Sequence, residues 1–149
     1  MQTDNERSAV ILLAEDDKGD QELTKRALAL GKIKNELYIV EDGEEALDYL
    51  LRRGKYTDPA SCPWPDLFLL DLNMPKKDGR QVLQELKKHE RFDALATVVL
   101  TTSKQEEDIL RSYQLGVKSY ISKPVDFSQF IDVIHALENY WFKIVVLPR

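Results

Sequence analysis

A chain of 149 residues with 43% apolar and 32% charged residues has the balance of a soluble globular protein and material for one hydrophobic core. A net charge of −5 and a pI near 5.1 supply no basic field for a nucleic-acid backbone, and a single cysteine, Cys62, excludes an internal disulfide or a thiolate zinc cluster. The opening residues MQTDNERSAV hold no apolar signal core and no apolar run reaches the ~18 residues of a membrane span, so no membrane partner and a cytoplasmic location are expected.

In chain order, residues 1–8 are expected to form a flexible lead. VILLA at 10–14 reads as a first strand, followed by a helical pattern carried by Leu23, Ala27 and Leu30. ELYIV at 36–40 is a second strand, and Ala46, Leu47, Leu50 and Leu51 mark the next helix. RRGKYTDPASCPWPD then holds three of the six prolines and reads as a surface loop. DLFLL at 66–70 is a third strand, with Val82, Leu83 and Leu86 on the helix after it and the charged run KKHER as that helix's solvated end. TVVLT at 97–101 and KSYIS at 118–122 complete five strands. Their helices carry Ile109, Leu110 and Tyr113, then Phe127, Phe130, Ile131, Ile134 and Leu137. The first, third and fourth strands are almost uniformly apolar, as strands covered on both faces must be, and belong at the centre of a parallel sheet. Five strand-helix units predict a doubly wound α/β fold with right-handed crossovers, over residues 9–140.

Such a fold binds ligands beyond the carboxyl ends of its strands. The residues there are Glu15, Asp16 and Asp17 after the first strand, Asp71 at the end of the third, Thr101, Thr102 and Ser103 at the fourth, and Lys123 after the fifth. Clustered carboxylates repel one another, and a hard divalent cation resolves the repulsion. Mg²⁺ takes one or two carboxylates together with water and phosphate oxygens, a role suited to Glu15, Asp16 and Asp71. Lys123 adds a positive point charge and Thr101 a hydroxyl donor, which is most of what phosphoryl transfer to a carboxylate requires. Pro75 and the Asp78-Gly79 pair are expected to shape a turn after Asp71.

The motifs EDD at 15–17, DLNMPKKDG at 71–79, TTS at 101–103, Tyr120 and KP at 123–124 stand in the order of the response-regulator receiver domain, which the sequence resembles from about Val10 to Tyr140. The resemblance implies a flavodoxin-like (βα)₅ sheet of order 2-1-3-4-5. It implies Asp71 as phosphoacceptor, Glu15 and Asp16 as the acidic pair for Mg²⁺, and Asn73 as a residue lending a backbone carbonyl to the metal. Thr101 becomes the switch hydroxyl, Tyr120 the switch aromatic and Lys123 the phosphate-binding lysine. Glu15 departs from the Asp common at its position, which bears on metal affinity. ILLAED, the long loop before the third strand, VVLTTS and the ending YWFKIVVLP are similar to single-domain regulators of cyanobacterial phytochrome kinases. That likeness implies a sensor histidine kinase of phytochrome type as phosphodonor. It also implies a signalling protein that catalyses only its own phosphorylation and dephosphorylation, and whose output is contact with a further protein of unknown identity. A haloacid-dehalogenase-type phosphatase is the rival, opposed by an acceptor on the third strand and by Asn73 where that family has a second aspartate.

Several neighbours have simpler readings. Asp17 and Asp20 suit the opening of a helix, and Thr102 and Ser103 suit the cap of the next one. Without the resemblance Tyr120 would be core, and the isolated His89 and His135 are surface or interface residues. The segment 141–149 follows the completed fold, and its apolar side chains, with Tyr140 before them, predict an interface. Tyr140, Trp141, Phe142, Ile144, Val146 and Leu147 are expected at a homodimer contact.

Overall fold

The computed structural model describes residues 8–30, 34–123, 125 and 127–136. The expectations for the N-terminal lead up to residue 7 and for Leu137, Tyr140, Trp141, Phe142, Ile144, Val146 and Leu147 therefore lie outside the described residues. The elements are β1 (Ala9–Ala14), α1 (Lys18–Leu30), β2 (Asn35–Val40), α2 (Gly43–Leu50), β3 (Leu67–Asp71), α3 (Gly79–Leu86), β4 (Ala96–Thr101), α4 (Lys104–Ser112), β5 (Ser119–Ser122) and α5 (Phe127–Ala136). All neighbouring strands pair in parallel, in the order β2-β1-β3-β4-β5. Among the described residues no helix is long and apolar enough to cross a membrane.

Side chains alternate across a strand, so a strand covered on both faces needs apolar residues at every position. Every residue of β1, β3 and β4 is buried, and these are the three inner strands. Leu12, Ala14, Phe68, Leu70 and Val99 pack with α2 and α3 on one face. Ile11, Leu13, Leu69, Val98 and Leu100 pack with α1 and α5 on the other. Each fully buried Leu, Ile or Phe stabilises the fold by roughly 1.5–3 kcal/mol, which makes this double-faced core the main force holding the strand ends together.

Two helices differ from their sequence patterns. On α1 the buried stripe is Gln21, Thr24, Ala27 and Leu28, and Leu30 is 62% exposed, because two polar residues occupy positions where the apolar pattern was silent. On α4 only Leu110 is buried, leaving Ile109 and Tyr113 exposed. The loop before β3 is more than a surface excursion. It contains a 3-10 turn over Gly54–Tyr56, buries Tyr56 and Cys62, and sends Trp64 to stack on Phe92 with ring centroids 5.4 Å apart. His89 lies edge-on to the same Phe92.

Candidate functional site

The parallel register delivers the polar residues to one rim of the sheet. Asp71 ends β3 opposite Leu100, Thr101 ends β4 opposite Ser122, and Glu15 follows Ala14 at the end of β1. Glu15, Asp71 and Thr101 are each 2% exposed or less, whereas Asp16 is exposed. Two backbone bonds hold the rim in shape: Glu15 N–H donates to Val40 carbonyl, and Lys123 N–H donates to Thr101 carbonyl at 2.7 Å. Gln21 braces the first turn, its side-chain amide donating to the Glu15 carbonyl at 2.8 Å and to Glu41 at 2.9 Å.

One carboxylate oxygen from each of Glu15, Asp16 and Asp71 lies within 4.8 Å of the other two. Lys123 Nζ sits among them, 3.0 Å from Glu15 Oε1, 3.3 Å from Asp71 Oδ2 and 2.8 Å from Asp20 Oδ2. Burial, and then the neighbouring charge of Asp71, raises the Glu15 carboxyl to about 7. Burial alone would push the Lys123 ammonium down, but Asp20, Glu15 and Asp71 outweigh it and hold the group above its usual value. One ammonium thus faces three carboxylates, two of them buried.

A divalent cation fits this donor set. The ligand atoms are all oxygen, as a hard ion prefers, and the buried Glu15 Oε1 has the Lys123 ion pair at 3.0 Å but no hydrogen bond of its own. Asp71 Oδ1 accepts the Asn73 backbone N–H at 3.2 Å, which fixes the carboxylate and turns the chain so that Asn73 lies beside the acidic group.

The loop after Asp71 is built differently from the free turn that Asp78-Gly79 suggested. Asp78 is the N-cap of α3, closing a capping box with Gln81, and Gly79 is the first helical residue. A Cβ on Gly79 would come within 2.8 Å of Asp71 carbonyl oxygen and Leu72 Cα. Gly43 makes a similar close approach from α2, where a Cβ would fall 1.9 Å from Lys77 carbonyl oxygen. The two glycines let two helix starts press directly on the segment that carries Asp71.

Asp17 caps α1 as the sequence suggested, accepting the Asp20 N–H at 2.9 Å. Asp20 does not belong in the same category, because its carboxylate reaches across to Lys123. Its signal in the sequence was its place in the first turn of α1, immediately after the acidic residues of the rim. Ser103 caps α4 through Glu106 N–H, again as expected, but Glu106 was not singled out by sequence reasoning. Burial raises the Glu106 carboxyl, yet bonds from Thr102, the nearby Asn73 side chain and the charge of Lys123 outweigh that and leave it below the usual range. Tyr120 is half-buried at the edge strand, opposite Val99, with the Arg111 guanidinium 4.4 Å from its ring centre.

A doubly wound sheet with acids, a hydroxyl and a lysine gathered at one rim has the layout of a receiver domain, and the comparisons show that family. The chain belongs to the response regulator receiver domain family, whose pattern matches residues 11–135. It is 41% identical over 139 residues to response regulator Rcp1 of Synechocystis sp., covering 93% of this chain and 92% of that protein. Among solved structures it is similar to the bacteriophytochrome response regulator RtBRR, at 44% identity and a TM-score of 0.81 over 88% of this chain and 78% of that one. It is also similar to the phosphorylated cyanobacterial phytochrome response regulator RcpA, at 42% identity and a TM-score of 0.74, covering 96% of this chain and all (100%) of that one. A structure of Rcp1 is of its Mn²⁺-bound form, at 40% identity and a TM-score of 0.72 over 95% of this chain and 99% of that one. The protein is thus a receiver-type signalling protein homologous to phytochrome response regulators.

Proposed function

We propose that Asp71 accepts a phosphoryl group from a phosphohistidine on a sensor kinase of phytochrome type, and that the modified receiver signals by contact with a further protein. The observation that carries this is the buried Asp71 carboxylate, with two carboxylates within 4.8 Å and Lys123 Nζ at 3.3 Å. A carboxylate so placed can attack phosphorus only if the charges around it are neutralised.

Glu15, Asp16, Asp71 and the backbone carbonyl of Asn73 would hold Mg²⁺, which when bound offsets the charge between carboxylate and phosphoryl oxygens. The chain's own groups do the remainder. Asn73 N–H orients the acceptor. An oxygen–phosphorus bond then forms on Asp71 as the donor nitrogen–phosphorus bond breaks, the pair of electrons returning to the imidazole. Lys123 and the Thr101 hydroxyl take the phosphoryl oxygens, and Tyr120 follows the movement of Thr101 at the edge of the sheet. A Mn²⁺-bound form of Rcp1 and a phosphorylated form of RcpA support a metal and a phosphoryl group for this chain as well.

Incubation with acetyl phosphate and Mg²⁺ is expected to add about 80 Da to the intact mass, the increment of one phosphoryl group. An unchanged mass under conditions that label a control receiver overturns the assignment. The apolar residues Tyr140, Trp141, Phe142, Ile144, Val146 and Leu147 support a homodimer, since symmetric pairs are the commonest assembly. Sedimentation velocity is expected to show a dimer for the full chain and a monomer after truncation at Asn139. A monomeric full chain at working concentration rejects the pairing.

A further inference from the structure

Glu106 stands at the third position of α4, where a glutamate ordinarily closes a capping box on the N-cap residue's own N–H. Helix α3 shows that ordinary box, Gln81 accepting from the N-cap Asp78. Glu106 reaches one residue further, past the cap Ser103, and its Oε1 accepts both the Thr102 N–H at 3.0 Å and the Thr102 hydroxyl at 2.9 Å. Thr102 is the residue next to Thr101. On its other side Glu106 meets the Asn73 side chain, the two sharing a cavity of about 210 Å³ between α3 and α4 with Leu72, Arg80 and Ile109. One carboxylate therefore holds the β4–α4 loop through Thr102 and faces the β3–α3 loop at Asn73 across that cavity, the two segments that flank Asp71.

We propose that Glu106 is a positioning residue for phosphoryl acceptance, a clasp that holds Thr102, and with it Thr101, in the unphosphorylated arrangement and yields when Asp71 is modified. This rests on the assignment of Asp71 as acceptor. A phosphoryl group of about −1.5 to −2 charges takes the place of the single charge of the Asp71 carboxylate, a net gain of up to about one negative charge at the rim that Glu106 borders. It also draws the Thr101 hydroxyl inward, so the same event repels the clasp and pulls on what it holds. Before modification the clasp works against the reaction, by restraining Thr101 and by opposing an anionic donor.

The test compares the full chain with Glu106→Gln and Glu106→Ala. Adduct formation from acetyl phosphate with Mg²⁺ is followed at low and high salt, and hydrogen exchange of the Thr102 amide is read without phosphodonor. Glu106→Ala is expected to accept phosphate faster by at least roughly fivefold, the weight of one of the two hydrogen bonds it removes, and to lose Thr102 protection by a similar factor. Glu106→Gln keeps an acceptor oxygen but no charge, so it should retain Thr102 protection while its gain in rate fades as salt rises. A helix cap alone would not produce that salt dependence. Equal rates in the three proteins overturn the proposal and leave Glu106 a helix cap. If none of the three takes an adduct, Asp71 as acceptor is what fails; the exchange then decides the clasp, and an unmoved Thr102 amide in Glu106→Ala overturns it as well.

Discussion

Asp71→Asn is expected to take no adduct from acetyl phosphate and, in the absence of metal, to melt at a higher temperature than the natural protein. Asparagine fills the same volume and keeps an oxygen for the Asn73 N–H, so the rim retains its shape. What it removes is one of two carboxylates buried against each other, and the Asp71 charge is a leading reason that Glu15 holds its proton up to about 7. Relief of that repulsion is worth on the order of 1 kcal/mol, given ~1.4 kcal/mol per pKa unit. In a domain of this size that corresponds to about 2–4 °C. Lys123 keeps Glu15 and Asp20 as partners in the variant, so no new unpaired charge appears. Calorimetry in a chelator and intact mass after acetyl phosphate check the two halves separately. An adduct that persists moves the acceptor elsewhere; a lower melting temperature contradicts the electrostatic account of the rim.

The second large effect is expected from Lys123→Met, which keeps the length of the side chain and deletes its charge. Glu15 and Asp71 are then left buried without a counter-ion, and severing such a pair from one side costs about 3 kcal/mol, the lower end of the range for buried pairs because Asp20 remains partly in water. The loss depends on pH in a defined direction. The Glu15 carboxyl has a folded value near 7 against an ordinary 4.5, and without Lys123 it rises further. A group raised on folding contributes stability that is fully present below its unfolded value and is lost as pH climbs through its folded value. The variant should therefore lie close to the natural protein near pH 5 and fall well below it by pH 8. Mg²⁺ should restore much of the difference, because it binds the folded rim and supplies the missing charge. Urea melts at the two pH values, with and without Mg²⁺, read all of this, and a pH-independent loss contradicts it.

The strands and the residues at their ends were legible in the sequence because each strand carries its own signal. A strand buried on both faces must be apolar throughout, and the first polar residue after it marks the rim, which is how Glu15, Asp71, Thr101 and Lys123 stood out. Helix faces were less legible. Leu30 of α1 and Ile109 and Tyr113 of α4 fit helical spacing, yet Gln21 and Thr24 join Ala27 and Leu28 on the buried face of α1, Gln21 through its bonds to Glu15 and Glu41 that no periodicity describes. Asp20 and Glu106 escaped for a related reason. Each has an ordinary local role available at the start of a helix, and each departs from it through a partner that arrives from elsewhere in the chain or lies one residue beyond the cap. Gly79 was read as part of a turn, whereas its position reflects the absence of room beside Asp71.

The contact of Gly43 and Gly79 with the segment that carries and follows Asp71 also makes the rim mechanically lopsided. On the β3 side two helix starts meet backbone with no space for a methyl group, so that wall cannot recede when the volume and charge of a phosphoryl group arrive. The opposite wall is held by hydrogen bonds near the surface, the Thr102 N–H donating to the Glu106 carboxylate and the Glu106 N–H to the Ser103 hydroxyl, which can exchange for water at small cost. Under the proposed phosphoryl acceptance, displacement would be channelled one way, toward α4 and the exposed Ile109 and Tyr113, and the direction of the signal would be set by where the fold is too tight to move.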